Sequence, residues 1–143
     1  MTEKKKILIL CTGNSARSQM AEGLLRYLTE NRYIIYSAGT KLSAVRSEAI
    51  KVMAEIEIDI SENRSKSVDD FAGEQIDYVL TVCDNAKENC PYFPAKTKLL
   101  HHSFADPAEM IGSEELRLNA FRKIRDEIRE YFENDFVKIL KTE

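Results

Sequence analysis

The chain has no tryptophan, two histidines, three prolines, five glycines and three cysteines in 143 residues. No CxxC or HxxxH pair occurs, which removes the tight ligand spacing expected of a zinc site. No GxxxxGK[ST] occurs either, so a Walker-type nucleotide loop is excluded. Basic residues do not dominate: 21 Lys and Arg stand against 24 Asp and Glu, for a formal net charge of −3. That balance argues against a nucleic-acid binder while leaving room for a local anion site. The basic start, KKK at 4–6, leads into only five apolar residues, too few for a signal peptide or a membrane span. A cytoplasmic protein is expected. Three cysteines cannot all pair among themselves, and without an export signal they read as free thiols that are metal-binding, catalytic or buried. With no repeat, low-complexity stretch or linker, residues 1–143 read as one domain, long enough to bury a core.

What is present alternates between two periods. KKKILIL (4–10), YIIYS (33–37), IDYVLTV (76–82) and the shorter Lys98–His101 read as strands. Met20, Ala21, Leu24, Leu25 and Leu28 recur at helical spacing within 18–29, and Ala49, Ile50, Met53 and Ala54 do so within 46–55. From Ser113 onward, Leu116, Ala120, Ile124 and Ile128 mark one face of a long amphipathic helix, with Ser113 as its cap. Strands alternating with helices predict a single-domain three-layer α/β/α fold around a four-stranded parallel sheet of order 2-1-3-4. Ligands of such sheets bind beyond the carboxyl ends of the strands where the order reverses. The loops there begin at Cys11 and Cys83.

The first of these loops, CTGNSARS (11–18), puts a thiol and a guanidinium at its two ends. A strand-loop-helix turn aims backbone N–H groups into a concavity at the helix N-terminus. Gly13, Ser15 and Ala16 are small enough for the chain to wrap closely. Arg17 offers a planar fork for a tetrahedral oxyanion. Cys11 stands at the same mouth, where the helix dipole and Arg17 stabilise a sulfur anion. A nucleophilic sulfur under an oxyanion cradle predicts in-line attack on the anion's central atom. The departing oxygen then needs a proton, and Asp106, stiffened by Pro107 in FADPAE, is the candidate acid.

Cys83 closes the third strand and Cys90 precedes Pro91. DNAKEN between them predicts a short helix with Asp84 as N-cap and Pro91 as stop. Seven helical residues rise about 10.5 Å, whereas a disulfide needs Cα atoms roughly 4.4–6.8 Å apart. A Cys83–Cys90 bond therefore requires the segment to unwind or bend, which favours a redox switch over a static bridge. A buried Cys83 beside a bystander Cys90 is the alternative. His101 and His102 point to opposite strand faces, so one is expected to pack and the other to approach the site mouth.

These stretches resemble the thioredoxin-coupled arsenate reductases, which are built on the low-molecular-weight protein tyrosine phosphatase fold. CTGNSARSQMAEG carries the resemblance, with YSAG (36–39), IDIS (58–61), LTVC (80–83), NCP (89–91), DPA (106–108) and FRKIRDEI (121–128). The resemblance implies that arsenate, with phosphate or sulfate as analogues, is bound by Thr12, Gly13, Asn14, Ser15, Ala16, Arg17 and Ser18. It implies attack by Cys11, proton donation by Asp106, a Cys11–Cys83 disulfide, then a Cys83–Cys90 disulfide that thioredoxin reduces. Asn14 would brace the loop and Ser18 would hydrogen-bond Cys11. No tightly bound cofactor and a monomer are implied. Some relatives hold potassium; Asn14, Glu22 and Ser37 match that site, but Lys66 stands where those relatives carry a carboxylate and counts against the ion. Tyrosine phosphatases of the same fold carry CLGNxCRSP and aromatic residues after the DP pair. Gln19 and Ala108-Glu109 stand at those places here, which favours the reductase. A non-enzymatic arsenite or metal sensor is a third reading, and the absence of a DNA-reading helix speaks against it.

Overall fold

The computed structural model describes residues 4–41, 43–90, 93 and 96–141. Four parallel strands form one sheet in the order β2-β1-β3-β4: β1 Lys6–Cys11, β2 Ile34–Gly39, β3 Tyr78–Thr81 and β4 Lys98–His101. The predicted order holds. Successive strand residues point to opposite faces, and Ile7, Leu8, Ile9 and Leu10 are all fully buried. Both faces of β1 are therefore covered, as a central parallel strand requires.

Helices α1 (Arg17–Leu28), α2 (Ser47–Ala54), α3 (Asp84–Glu88), α4 (Glu114–Tyr131) and α5 (Val137–Lys141) pack around the sheet. On α1, Met20, Ala21, Leu24 and Leu25 are buried, which is the stripe its periodicity predicts. Gly23 lies on the same helix against Ile58, Ile60 and Met53; a Cβ there would meet their side chains at 3.0–3.1 Å. Ser113 caps α4 by accepting from the Leu116 N–H at 3.2 Å, again as expected. Arg125 on α4 donates to the Val52 carbonyl (2.8 Å) and to Glu55 (2.9 Å), tying α4 to α2. Between α4 and α5, Phe132–Phe136 forms a π turn.

Several boundaries differ from expectation: β2 runs on to Gly39 and β3 is confined to Tyr78–Thr81. β1 runs one residue further than predicted and carries Cys11 into the sheet, while α1 begins at Arg17. Asp84 is not the cap of α3: the extended Cys83 holds the N-cap position, at φ −149° and ψ 157°. The Asp84 carboxylate turns to His101 instead, Oδ1 lying 3.1 Å from Nε2. The predicted stop at Pro91 lies outside the described residues.

Candidate active site

Cys11 ends β1 and Arg17 begins α1, so the loop between them sits where the carboxyl end of the central strand meets a helix N-terminus. Its carbonyls are taken from outside. Cys11 O accepts from Thr40 N–H (3.2 Å), Thr12 O from Lys41 N–H (2.9 Å) and Ser15 O from Arg46 N–H (2.8 Å). Gly13 O accepts from Ser65 Oγ (2.8 Å) and Asn14 O from Gln19 Nε2 (3.1 Å). Five carbonyls of the loop are thus engaged by donors from the segments around it.

Asn14 is fully buried with a φ of 49°, a left-handed conformation that asparagine tolerates better than most residues. Its Oδ1 accepts from Lys66 N–H (2.8 Å) and its Nδ2 donates to Ser18 Oγ (2.8 Å). Ser18 Oγ in turn lies 2.8 Å from Cys11 Sγ. Since Ser18 accepts from Asn14, its own proton is available to the sulfur. The bracing by Asn14 and the Ser18–Cys11 contact that the resemblance implies are both present.

Arg17 reaches across the loop mouth to β4's continuation. Nη1 donates to Phe104 O at 3.1 Å and Nη2 lies 3.6 Å from Asp106 Oδ2. Asp106 Oδ1 accepts from Ala108 N–H (3.0 Å), which fixes the carboxylate on the turn Pro107–Glu109. Asp106, distant in sequence, is thus brought to the loop that Cys11 and Arg17 bound.

Cys83 comes next to them through strand register. Leu10 pairs with Thr81, and Val82 N–H donates to Leu10 O at 2.9 Å. The chain ends of β1 and β3 therefore leave the sheet together. Cys83 Sγ lies 3.3 Å from Thr12 Oγ1, in the loop between Cys11 and Arg17. Cys11 and Cys83 are both buried. Cys90, beyond α3, is half-buried, and that burial pushes its thiol above the ordinary cysteine range.

Further side chains support the loop and its surroundings. Asn85, on the first turn of α3, accepts from Thr40 Oγ1 (2.9 Å) and lies 3.5 Å from Thr12 Oγ1. His101 bridges β3 and α3: Nδ1 is 2.7 Å from Thr81 Oγ1 and Nε2 faces Asp84. His102 stacks on Tyr131 with ring centroids 4.1 Å apart. His101 is thus the histidine near the site; His102 stacks on Tyr131 but is exposed, so neither histidine is buried as expected. Gln19, also buried, donates to Arg64 O (2.9 Å) and accepts from Asn63 (3.0 Å). Segment 63–67 thereby becomes a back wall for the loop.

The residues matched to a potassium site do not fit the ion. Glu22 Oε1 accepts from Ser37 Oγ at 2.5 Å and Oε2 pairs with Arg26 at 2.7 Å. Asn14 spends its amide on Lys66 and Ser18, as above. Lys66 is half-buried; burial pulls its amine below the ordinary lysine range, while Glu22 opposes that shift. Two cationic side chains already answer the one buried carboxylate. Among the described residues, no group of three His, Cys, Asp or Glu could hold a metal ion.

Fold and site together define a class: an α/β protein whose central strand runs into a loop bounded by a cysteine and an arginine. The chain belongs to the low molecular weight phosphotyrosine protein phosphatase family, whose model matches residues 6–143. It is 43% identical over 125 residues to an arsenate reductase of Halalkalibacterium halodurans, covering 87% of this chain and 90% of the relative. A solved arsenate reductase in its oxidized state superimposes with a TM-score of 0.79 at 31% identity, over 94% of this chain and 98% of the other. A low molecular weight protein tyrosine phosphatase from T. tengcongensis superimposes with a TM-score of 0.76 at 25% identity, over 94% and 99%.

Proposed function

We propose that the protein reduces arsenate to arsenite with three thiols, which a thioredoxin then restores. Arsenate is held by the loop amides and Arg17. Cys11 attacks arsenic as the thiolate, and one oxygen departs as water with a proton from Asp106. Arsenic is still pentavalent in that adduct. Cys83 then attacks the Cys11 sulfur; the sulfur–arsenic bond breaks and its electron pair stays on arsenic. Arsenite leaves, and Cys11 and Cys83 are joined. Cys90 attacks Cys83, frees Cys11 and moves the disulfide out of the anion loop, where a thioredoxin dithiol reduces it.

The observation that carries this reading is the placement of Cys83 beside Thr12 of the anion loop. Hydrolysis at Cys11 does not require a second thiol there, whereas reduction does. The five residues of α3 stand between Cys83 and Cys90, so the last exchange requires that helix to unwind. The setting that suits free thiols is the cytoplasm, and the protein is proposed to act as a monomer without potassium. Its role would be arsenic detoxification.

A second reading is phosphate monoester hydrolysis, favoured by the fact that Cys11, Arg17 and Asp106 form a cluster complete in itself. We place it as a slow side activity, since phosphate and arsenate share shape and charge.

The stoichiometry of Cys90→Ser tests the relay. Mixed with excess arsenate, thioredoxin, thioredoxin reductase and NADPH, this variant is expected to release about one arsenite per protein and then stall. Continued turnover at the wild-type rate would remove Cys90 from the mechanism and the relay with it.

A further inference from the structure

β4 is an edge strand: among the described residues it pairs only with β3. Lys98 N–H donates inward to Asp77 O at 2.9 Å, and His102 N–H to Thr81 O at 3.0 Å. Strand geometry therefore turns the peptide groups of Leu99 and His101 outward. Leu99 is 63% exposed. An edge with outward amides, outward carbonyls and an exposed leucine is a template for another extended segment. Alongside it lies a cleft of about 440 Å³ lined by Val79, Thr81, Lys87, Cys90, Leu99 and His101. The half-buried Cys90 is thus in the same groove as the open strand edge. Lys87 adds a positive charge to the lining of the cleft.

We propose that the β4 edge and the sheet side of this cleft, which lie outside the α3 segment that unwinds, are the docking surface for the protein dithiol that reduces the Cys83–Cys90 disulfide. The partner lays an extended, neutral-to-acidic segment along Leu99–His101 and presents its thiolate to Cys90. The proposal rests on the three-thiol reading, because only that reading brings a reductant here. The incoming thiolate attacks the Cys90 sulfur, the Cys83–Cys90 bond breaks, and Cys83 leaves as a thiolate that takes up a proton. The partner's second thiol then attacks its own sulfur in the mixed disulfide, releasing Cys90. Two electrons pass inward and the partner departs as a disulfide. A main-chain ladder supplies affinity without demanding a particular side-chain sequence, and the leucine supplies an apolar anchor at its centre.

Leu99→Glu tests this, with Leu99→Thr as a second variant that keeps a strand-forming residue. Turnover is measured with a bacterial thioredoxin, its reductase and NADPH, and separately with dithiothreitol, which needs no strand edge. Both variants are expected to raise the KM for thioredoxin, Leu99→Glu by about 10-fold or more, with dithiothreitol-driven rates within about twofold of wild type. An unchanged thioredoxin KM in both variants overturns the docking surface. So does an equal loss with both reductants, since the edge would then serve the fold and not the partner. Cys90→Ser run alongside separates this from the relay itself: if that variant turns over normally with thioredoxin, the three-thiol reading fails, whatever Leu99 shows.

Discussion

Cys83→Ser is expected to lower thioredoxin-driven arsenate reduction by about 10³-fold or more while leaving p-nitrophenyl phosphate hydrolysis within about twofold of wild type. The split follows from where the two reactions part. Both begin with Cys11 under the loop amides, Arg17 and Asp106. Only reduction needs a second sulfur to break the sulfur–arsenic bond with the electrons left on arsenic. Serine is close to cysteine in size and can keep the contact with Thr12 Oγ1, 3.3 Å away, so the fold and the anion loop survive the change. Parallel steady-state assays on one preparation decide it. Equal losses in both reactions would mean that Cys83 supports the loop and carries no electrons.

Gly39→Ala is expected to lower kcat/KM for arsenate by about 100-fold, chiefly through weaker anion binding. Gly39 ends β2 opposite Cys11. A Cβ there would stand 2.6 Å from Thr12 O, 2.7 Å from Asn14 N and 2.9 Å from the Gly13 carbonyl carbon. All three are backbone atoms of the anion loop, so no side chain can swing aside to make room. Either the loop moves off its position or β2 gives way from Lys66 O, to which Gly39 N–H donates at 2.8 Å. Calorimetric titration with inorganic phosphate, with thermal unfolding as a control on the fold, measures the effect. Unaltered phosphate affinity would show that the loop does not hold the anion.

Both predictions begin from residues whose importance could be read in the sequence to different degrees. The strands β1 and β3 stand out as apolar runs because both sheet faces are buried, and α1 and α4 as 3.6-period stripes. The loop from Cys11 to Ser18 is legible because its chemistry lies in one contiguous stretch. Cys83 could be placed near it only through the parallel sheet order, which the alternation of elements supplies.

The rest was hidden for physical reasons. The wall at 63–67 braces Gly13, Asn14 and Gln19 through hydrogen bonds of an irregular segment, and such bonds leave no period. Asp84 has the residue type of a helix cap, yet a histidine 17 positions away competes for its carboxylate. The π turn after α4 was invisible because Phe132, Phe136 and Leu140, all buried, sit four apart, a spacing that an α-helix also uses. A π turn with more residues per turn keeps them on one face.

The central claim is that the electrons for reduction leave through a bond between Cys11 and Cys83. It is tested by acid-quenching Cys90→Ser after reaction with arsenate, blocking free thiols and mapping the peptides by mass spectrometry. A Cys11–Cys83 disulfide is predicted to accumulate to about one per protein, in step with arsenite release. Arsenite released with Cys11 and Cys83 both still reduced would contradict it.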